Sequence, residues 1–191
     1  MRRVPATAAA AAARGALLLA LALLLASPAM ADQNDSRLYT LFQALRDTQD
    51  PARAAFVQQR IWSIWFEHPD ARIRESLAAG EQALAAGRLA AAVERFSEVI
   101  RLDPEFAEGW NRRATAYYAQ GRYPLSLADV TEVLAREPRH FGALAGRGLC
   151  FQALGRTAEA IAAYRQALEI NPHMEQIRAR LESLLGEGIG V

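Results

Sequence analysis

Residues 107–138, AEGWNRRATAYYAQGRYPLSLADVTEVLAREP, decide the fold. Apolar and small side chains recur at helical spacing on both sides of Gly121, and Pro138 closes the stretch. Glycine readily takes the left-handed conformation that ends a helix. Proline disfavours helical geometry at the residue before it. The stretch therefore predicts two short amphipathic helices joined by a tight turn.

The same punctuation recurs on either side. Gly87, Gly121 and Gly155 are spaced by 34 residues, and so are Pro104, Pro138 and Pro172. The side chains between them keep phase. Gly80, Ala114 and Gly148 are small where paired helices would approach closely, and Ala83, Tyr117 and Phe151 follow three positions later. On the second helices Ala92, Ser126 and Ala160 are small, Phe96, Val130 and Tyr164 fill space four residues on, and Val99, Val133 and Ala167 complete the face.

A helix–turn–helix of this period resembles the tetratricopeptide repeat (TPR) family. The middle copy carries most of the signature in Trp110, Ala114, Tyr117, Gly121, Tyr123 and Pro138. The third keeps Gly148, Gly155, Ala160, Tyr164, Ala167 and Pro172. The first departs at Ser76 and Ala83, where a bulky residue is usual, but keeps AAAVERFSEVIRLDP over 90–104. The resemblance implies an all-α, right-handed α-solenoid with repeats at 73–106, 107–140 and 141–174.

It also implies a non-catalytic protein-interaction module, an adaptor or assembly scaffold, holding a peptide or helix along a concave face made by the first helix of each repeat. On this chain that face would present Leu77, Glu81 and Leu84, then Asn111, Arg112, Thr115 and Tyr118, then Ala145, Gly146, Leu149 and Gln152. The candidate groove set is Glu81, Asn111, Arg112, Thr115, Tyr118, Leu149 and Gln152. Arg112 would suit a carboxylate and Asn111 a peptide backbone; a merely solvated face is the competing reading. Some family members bind C-terminal carboxylates through Lys and Asn side chains. This chain has no lysine and places Gly142 and Gly146 in the third copy, so that activity does not transfer.

The ends of such an array must differ from its middle, because each lacks a neighbour. Residues 32–70 read as a helical hairpin. Leu38, Leu41, Phe42 and Leu45 form one stripe, Asp50-Pro51 starts the second helix, and Val57, Ile61, Ile64 and Trp65 form another, widened by Trp62 and Phe66. The expectation is an atypical cap stacked on the first repeat. At the other end Ile177, Leu181, Leu184 and Leu185 predict a capping helix over 175–185, before a flexible tail at 186–191.

The chain starts with Arg2 and Arg3, then Arg14 and the apolar run ALLLALALLLA at 16–26, and reaches Ala29-Met30-Ala31 before the first acid, Asp32. These are the marks of a secretory signal peptide at 1–31, cut after Ala31, and place the protein in the bacterial periplasm. An uncleaved anchor and an organelle transit peptide are the alternatives. The apolar run is short of the roughly 20 residues a membrane span needs. Removing the three arginines takes the formal charge from +1 to +1 − 3 = −2, which gives no reason to expect nucleic acid.

Cys150 is the one cysteine, so no internal disulfide forms, and with no His or basic residue placed to activate it, it reads as a packed, inert thiol. His68, His140 and His173 fall near helix junctions without metal-ligand spacing, and Gly146-Arg147-Gly148 lacks a third glycine at dinucleotide spacing. No cofactor, metal or catalytic set is expected. Trp110, Tyr117, Tyr123 and Phe151 fall in phase with the seams between helices. Gly142 and Gly146 suggest close approach within the stack or an open groove. A second functional reading is a structural subunit of an oligomer or envelope complex, with Trp62, Trp65 and Phe66 exposed as its interface.

Overall fold

The computed structural model describes residues 35–187. Within them are nine helices: α1 Ser36–Asp47, α2 Pro51–Phe66, α3 Ala71–Ala85, α4 Leu89–Leu102, α5 Ala107–Ala119, α6 Tyr123–Arg136, α7 Phe141–Ala153, α8 Thr157–Ile170 and α9 Glu175–Glu187. The leader through Ala31 and residues 188–191 lie outside the described residues.

Helices α3–α8 form three stacked pairs. Each pair turns at its glycine, with φ of 69°, 72° and 71° at Gly87, Gly121 and Gly155. The arginine after each glycine donates its N–H to a carbonyl five residues back, Arg88 to Ala83, Arg122 to Tyr117 and Arg156 to Phe151, all at 2.9 Å. Each glycine donates three residues back. This double closure satisfies carbonyls that the helix end leaves open, and only glycine takes the required φ without strain. The prolines act at the opposite edge. The residue before each one accepts the N–H two positions on: Asp103 from Glu105, Glu137 from Arg139 and Asn171 from His173.

Inside the pairs, small residues meet large ones. A Cβ at Gly80 would overlap the Phe96 ring, and one at Gly148 the Tyr164 ring. Ala92, Phe96, Val99, Val133, Ala160, Tyr164 and Ala167 have no exposed surface. The four expected seam aromatics are half-buried; Trp110 and Phe151 pack on buried clusters, and arginines cover three of the four. The Trp110 ring lies between the guanidinium groups of Arg113 and Arg136, at 5.1 and 5.2 Å, and its Nε1 donates to Pro104 O. Arg156 covers Phe151 and Arg122 covers Tyr117.

The cap helix α9 packs Ile177, Leu181 and Leu184 on the third repeat. It runs to Glu187, past the expected end at 185, with Gly186 inside it.

The hairpin α1–α2 departs from expectation. It does not stack on the outer face of the first repeat; its packing on that repeat is through Phe66. It lies along the junctions between repeats. Phe42 sits under the Arg139 guanidinium, Leu45 O accepts from His173 Nε2 at 2.9 Å, and Gln58 Oε1 accepts from Asn171 Nδ2 at 2.8 Å. Leu38, Leu45, Val57, Ile61, Ile64 and Trp65 share one buried cluster with Phe141. The linker continues the line: His68 Nε2 meets Asp103 Oδ2 at 3.0 Å, and its ring packs edge-on against Phe106. The reason is chemical. The first repeat's outer face carries Glu75, Ser76, Glu94, Arg95 and Glu98, a polar surface that needs no cover. Ser76, where repeat two has Trp110, is the sign that no described helix stacks there.

Candidate functional site

The junction between repeats two and three holds a buried polar network. Glu108, in the first turn of α5, is fully enclosed. It accepts from Asn111 Nδ2 at 3.1 and 3.2 Å, from Arg112 Nε at 2.5 Å and from His140 Nε2 at 3.1 Å. His140 Nδ1 accepts the Ala143 N–H and caps α7, which makes Nε2 the donor to Glu108. Trp65 of α2 stacks on this imidazole at 4.1 Å and 9°. Burial pushes the Glu108 carboxyl up, but the His140 hydrogen bond and the Arg112 charge outweigh it, and the pKa lies below the ordinary glutamate value.

This network alters what Arg112 can do. Its guanidinium is bound to Glu108, lies 3.3 Å from Glu81, and covers the rings of Phe66 at 4.3 Å and Trp62 at 5.7 Å. The expected role of clasping a partner's carboxylate is corrected here: Arg112 is engaged inside the chain. Glu81 is half-buried beside it. Trp65 is buried, and Trp62 and Phe66 are half-buried against Arg112, His140 and Phe141. The aromatic face proposed for a subunit interface is thus used internally.

The remaining candidates separate into two groups. Asn111, Thr115, Tyr118 and Leu149 line one pocket of about 180 Å³ between α5 and α7, with Ala145 and Gly146. Thr115 Oγ1 donates to Asn111 O, and the Tyr118 ring leans on Tyr123 at 5.5 Å. Gln152 lies outside this pocket and accepts from Tyr164 Oη at 2.7 Å. Ser126 in the pocket wall donates to Ala114 O and accepts from Cys150 Sγ at 3.3 Å. Burial raises the Cys150 pKa, as an inert thiol requires.

Two glycines divide the face of α7. A Cβ at Gly142 would come within 2.6 Å of Trp62 Cη2, whereas one at Gly146 would meet nothing within 4 Å. Gly142 therefore seats α2 and Gly146 keeps the pocket open. Among the described residues no cluster of His, Cys, Asp or Glu could hold a metal, and no helix is long and apolar enough to cross a membrane.

A family model described as tetratricopeptide repeat matches residues 77–130 and 111–175, together just over half of the chain. The chain belongs to the tetratricopeptide repeat family. A TPR repeat-containing protein of Rhizobium etli is 34% identical over 154 residues, which are 78% of this chain and 76% of that one. Mouse DnaJ homolog subfamily C member 3 is 33% identical over 116 residues, 61% of this chain but 23% of the longer protein. Among solved structures, the first TPR of Spaghetti (RPAP3) bound to the HSP90 peptide SRMEEVD matches with a TM-score of 0.60 at 19% identity, over 62% of this chain and 94% of that one. At that identity the likeness is one of fold.

Proposed function

We propose that this chain is a protein-interaction module of the bacterial cell envelope, an adaptor or assembly scaffold that takes a segment of a partner protein in the groove between α5 and α7. The observation that carries the reading is the open pocket at Gly146, with small apolar walls and polar groups at its rim. A concave, mostly apolar site with a few fixed polar groups suits recognition of a chain segment. The RPAP3 repeat domain holding an HSP90 peptide is a precedent within the same fold. The envelope part of the proposal rests on the leader at 1–31, with its basic start, apolar run and Ala29-Met30-Ala31 end.

Gly146→Trp fills the groove from a position where added atoms meet nothing. Crosslinking in intact cells with the native chain and this variant side by side tests the groove. Partners captured by the native chain and lost in the variant support it; identical partner sets overturn it. Fractionation with N-terminal sequencing tests the location. A periplasmic form starting at Asp32 supports export, and a cytoplasmic form retaining Met1 overturns it.

A further inference from the structure

The buried network around Glu108 has one outlet toward the pocket. Asn111 is 7% exposed and lines the pocket. Its amide nitrogen donates to both carboxylate oxygens of Glu108. An ionised carboxylate only accepts, so the amide cannot be turned round: Nδ2 must face Glu108 and Oδ1 must face away. Glu108 is held in turn by Arg112 and by the single tautomer of His140 that also caps α7. The consequence is a carbonyl oxygen of fixed direction that accepts from no other group among the described residues and is not sealed off, on a residue that lines an apolar pocket.

The pocket's chemistry narrows what can enter. None of its lining residues carries a charge, and Arg112 behind it is already matched by Glu108 and Glu81. A carboxylate entering here would lose its water without gaining a cation. An apolar cavity of roughly 150 Å³ accommodates benzene; at about 180 Å³ this one takes a single side chain of leucine or phenylalanine size.

We propose that Asn111 Oδ1 accepts the backbone N–H of one residue of the bound segment, and that the adjoining pocket takes that residue's uncharged, leucine-sized side chain. This rests on the groove reading above and specifies its ligand as an internal apolar segment, set apart from acidic, carboxylate-ended peptides.

N-acetyl-leucinamide carries the two required features and little else, so it serves as the probe, titrated into the full ¹⁵N-labelled chain and read by NMR. The expected result is saturable shifts of the Asn111 side-chain amide and of the Gly146 and Leu149 backbone amides. Methylating the probe's leucine nitrogen removes the donor and should weaken binding about three- to tenfold. N-acetyl-leucine, with its free carboxylate, should bind more weakly than the amide. Gly146→Leu should abolish the shifts. Equal affinity for the methylated probe overturns the Asn111 acceptor and leaves the groove standing. Tighter binding of the free acid overturns the uncharged pocket. Absence of shifts with N-acetyl-leucinamide, or shifts that persist in Gly146→Leu, overturns the inference as a whole. The groove reading falls separately, only if Gly146→Trp also leaves partner capture unchanged.

Discussion

The three repeats and the hairpin α1–α2 are built alike, each from two helices and a short turn, yet they are held by different kinds of contact. A repeat is fixed by neighbours one period away, and identical solutions recur at Gly87, Gly121 and Gly155. The hairpin is fixed by residues far along the chain, Asn171 at a separation of 113 and His173 at 128. In a simple solenoid each unit touches only its neighbours, and stability is close to a sum of local terms. Here α1–α2 packs on both the second repeat and the third. The array is therefore expected to unfold as one body.

The largest test of this difference is Trp65→Ala. Trp65 is nearly fully buried and stacks on His140, so the loss should be about 3–5 kcal/mol in urea denaturation. If the bridge matters, the remaining transition also broadens, because repeats can then melt separately. A sharp, unshifted transition would return the hairpin to the status of an appendage.

Glu108→Gln comes next, at about 3 kcal/mol, since Arg112 and His140 lose a buried partner. The same residue sets a pH dependence. Its folded pKa lies below the ordinary 4.5, so its stabilisation is complete above that value and is lost as pH falls through the lower folded value. Melts of the native chain and Glu108→Gln should converge as pH drops below about 4.5; parallel curves would show that the network contributes nothing through charge.

The two α7 glycines give the finest comparison. Gly142→Ala drives a methyl into Trp62 and should cost about 1–3 kcal/mol. Gly146→Ala meets nothing and should gain about 0.5–1 kcal/mol, because glycine is the poorer helix former. Thermal melts that rank these two in the opposite order would place α2 elsewhere.

The repeats were legible because their signals are local and repeated: a glycine needing positive φ, a proline, and a small residue such as Gly80 facing Phe96. The hairpin's helices were legible for the same reason, from Asp50-Pro51 and the stripe through Trp65. Its seat was not, since nothing in residues 36–66 names residues 139–173 as the partner. Two signals did point there. Ser76 in place of a bulky residue marked an outer face on which no described helix stacks, and Gly142 marked a space awaiting Trp62. In the candidate site, Arg112 looked available because a sequence shows a charge but not its partners. Glu108 was passed over because a carboxylate in the first turn of a helix is ordinary, and its burial depends on His140, 32 positions on.

The His173–Leu45 hydrogen bond has a consequence for the order of assembly. The hairpin is synthesised before the repeats, but half of its seat is made of residues at the far end of the array. Contacts across such long loops form late, after local ones have shortened the search. The aromatic face of α2 thus stays uncovered until His140 and Phe141 have been made. A nascent chain ending before Phe141 should bind more of a hydrophobic dye than the finished protein does.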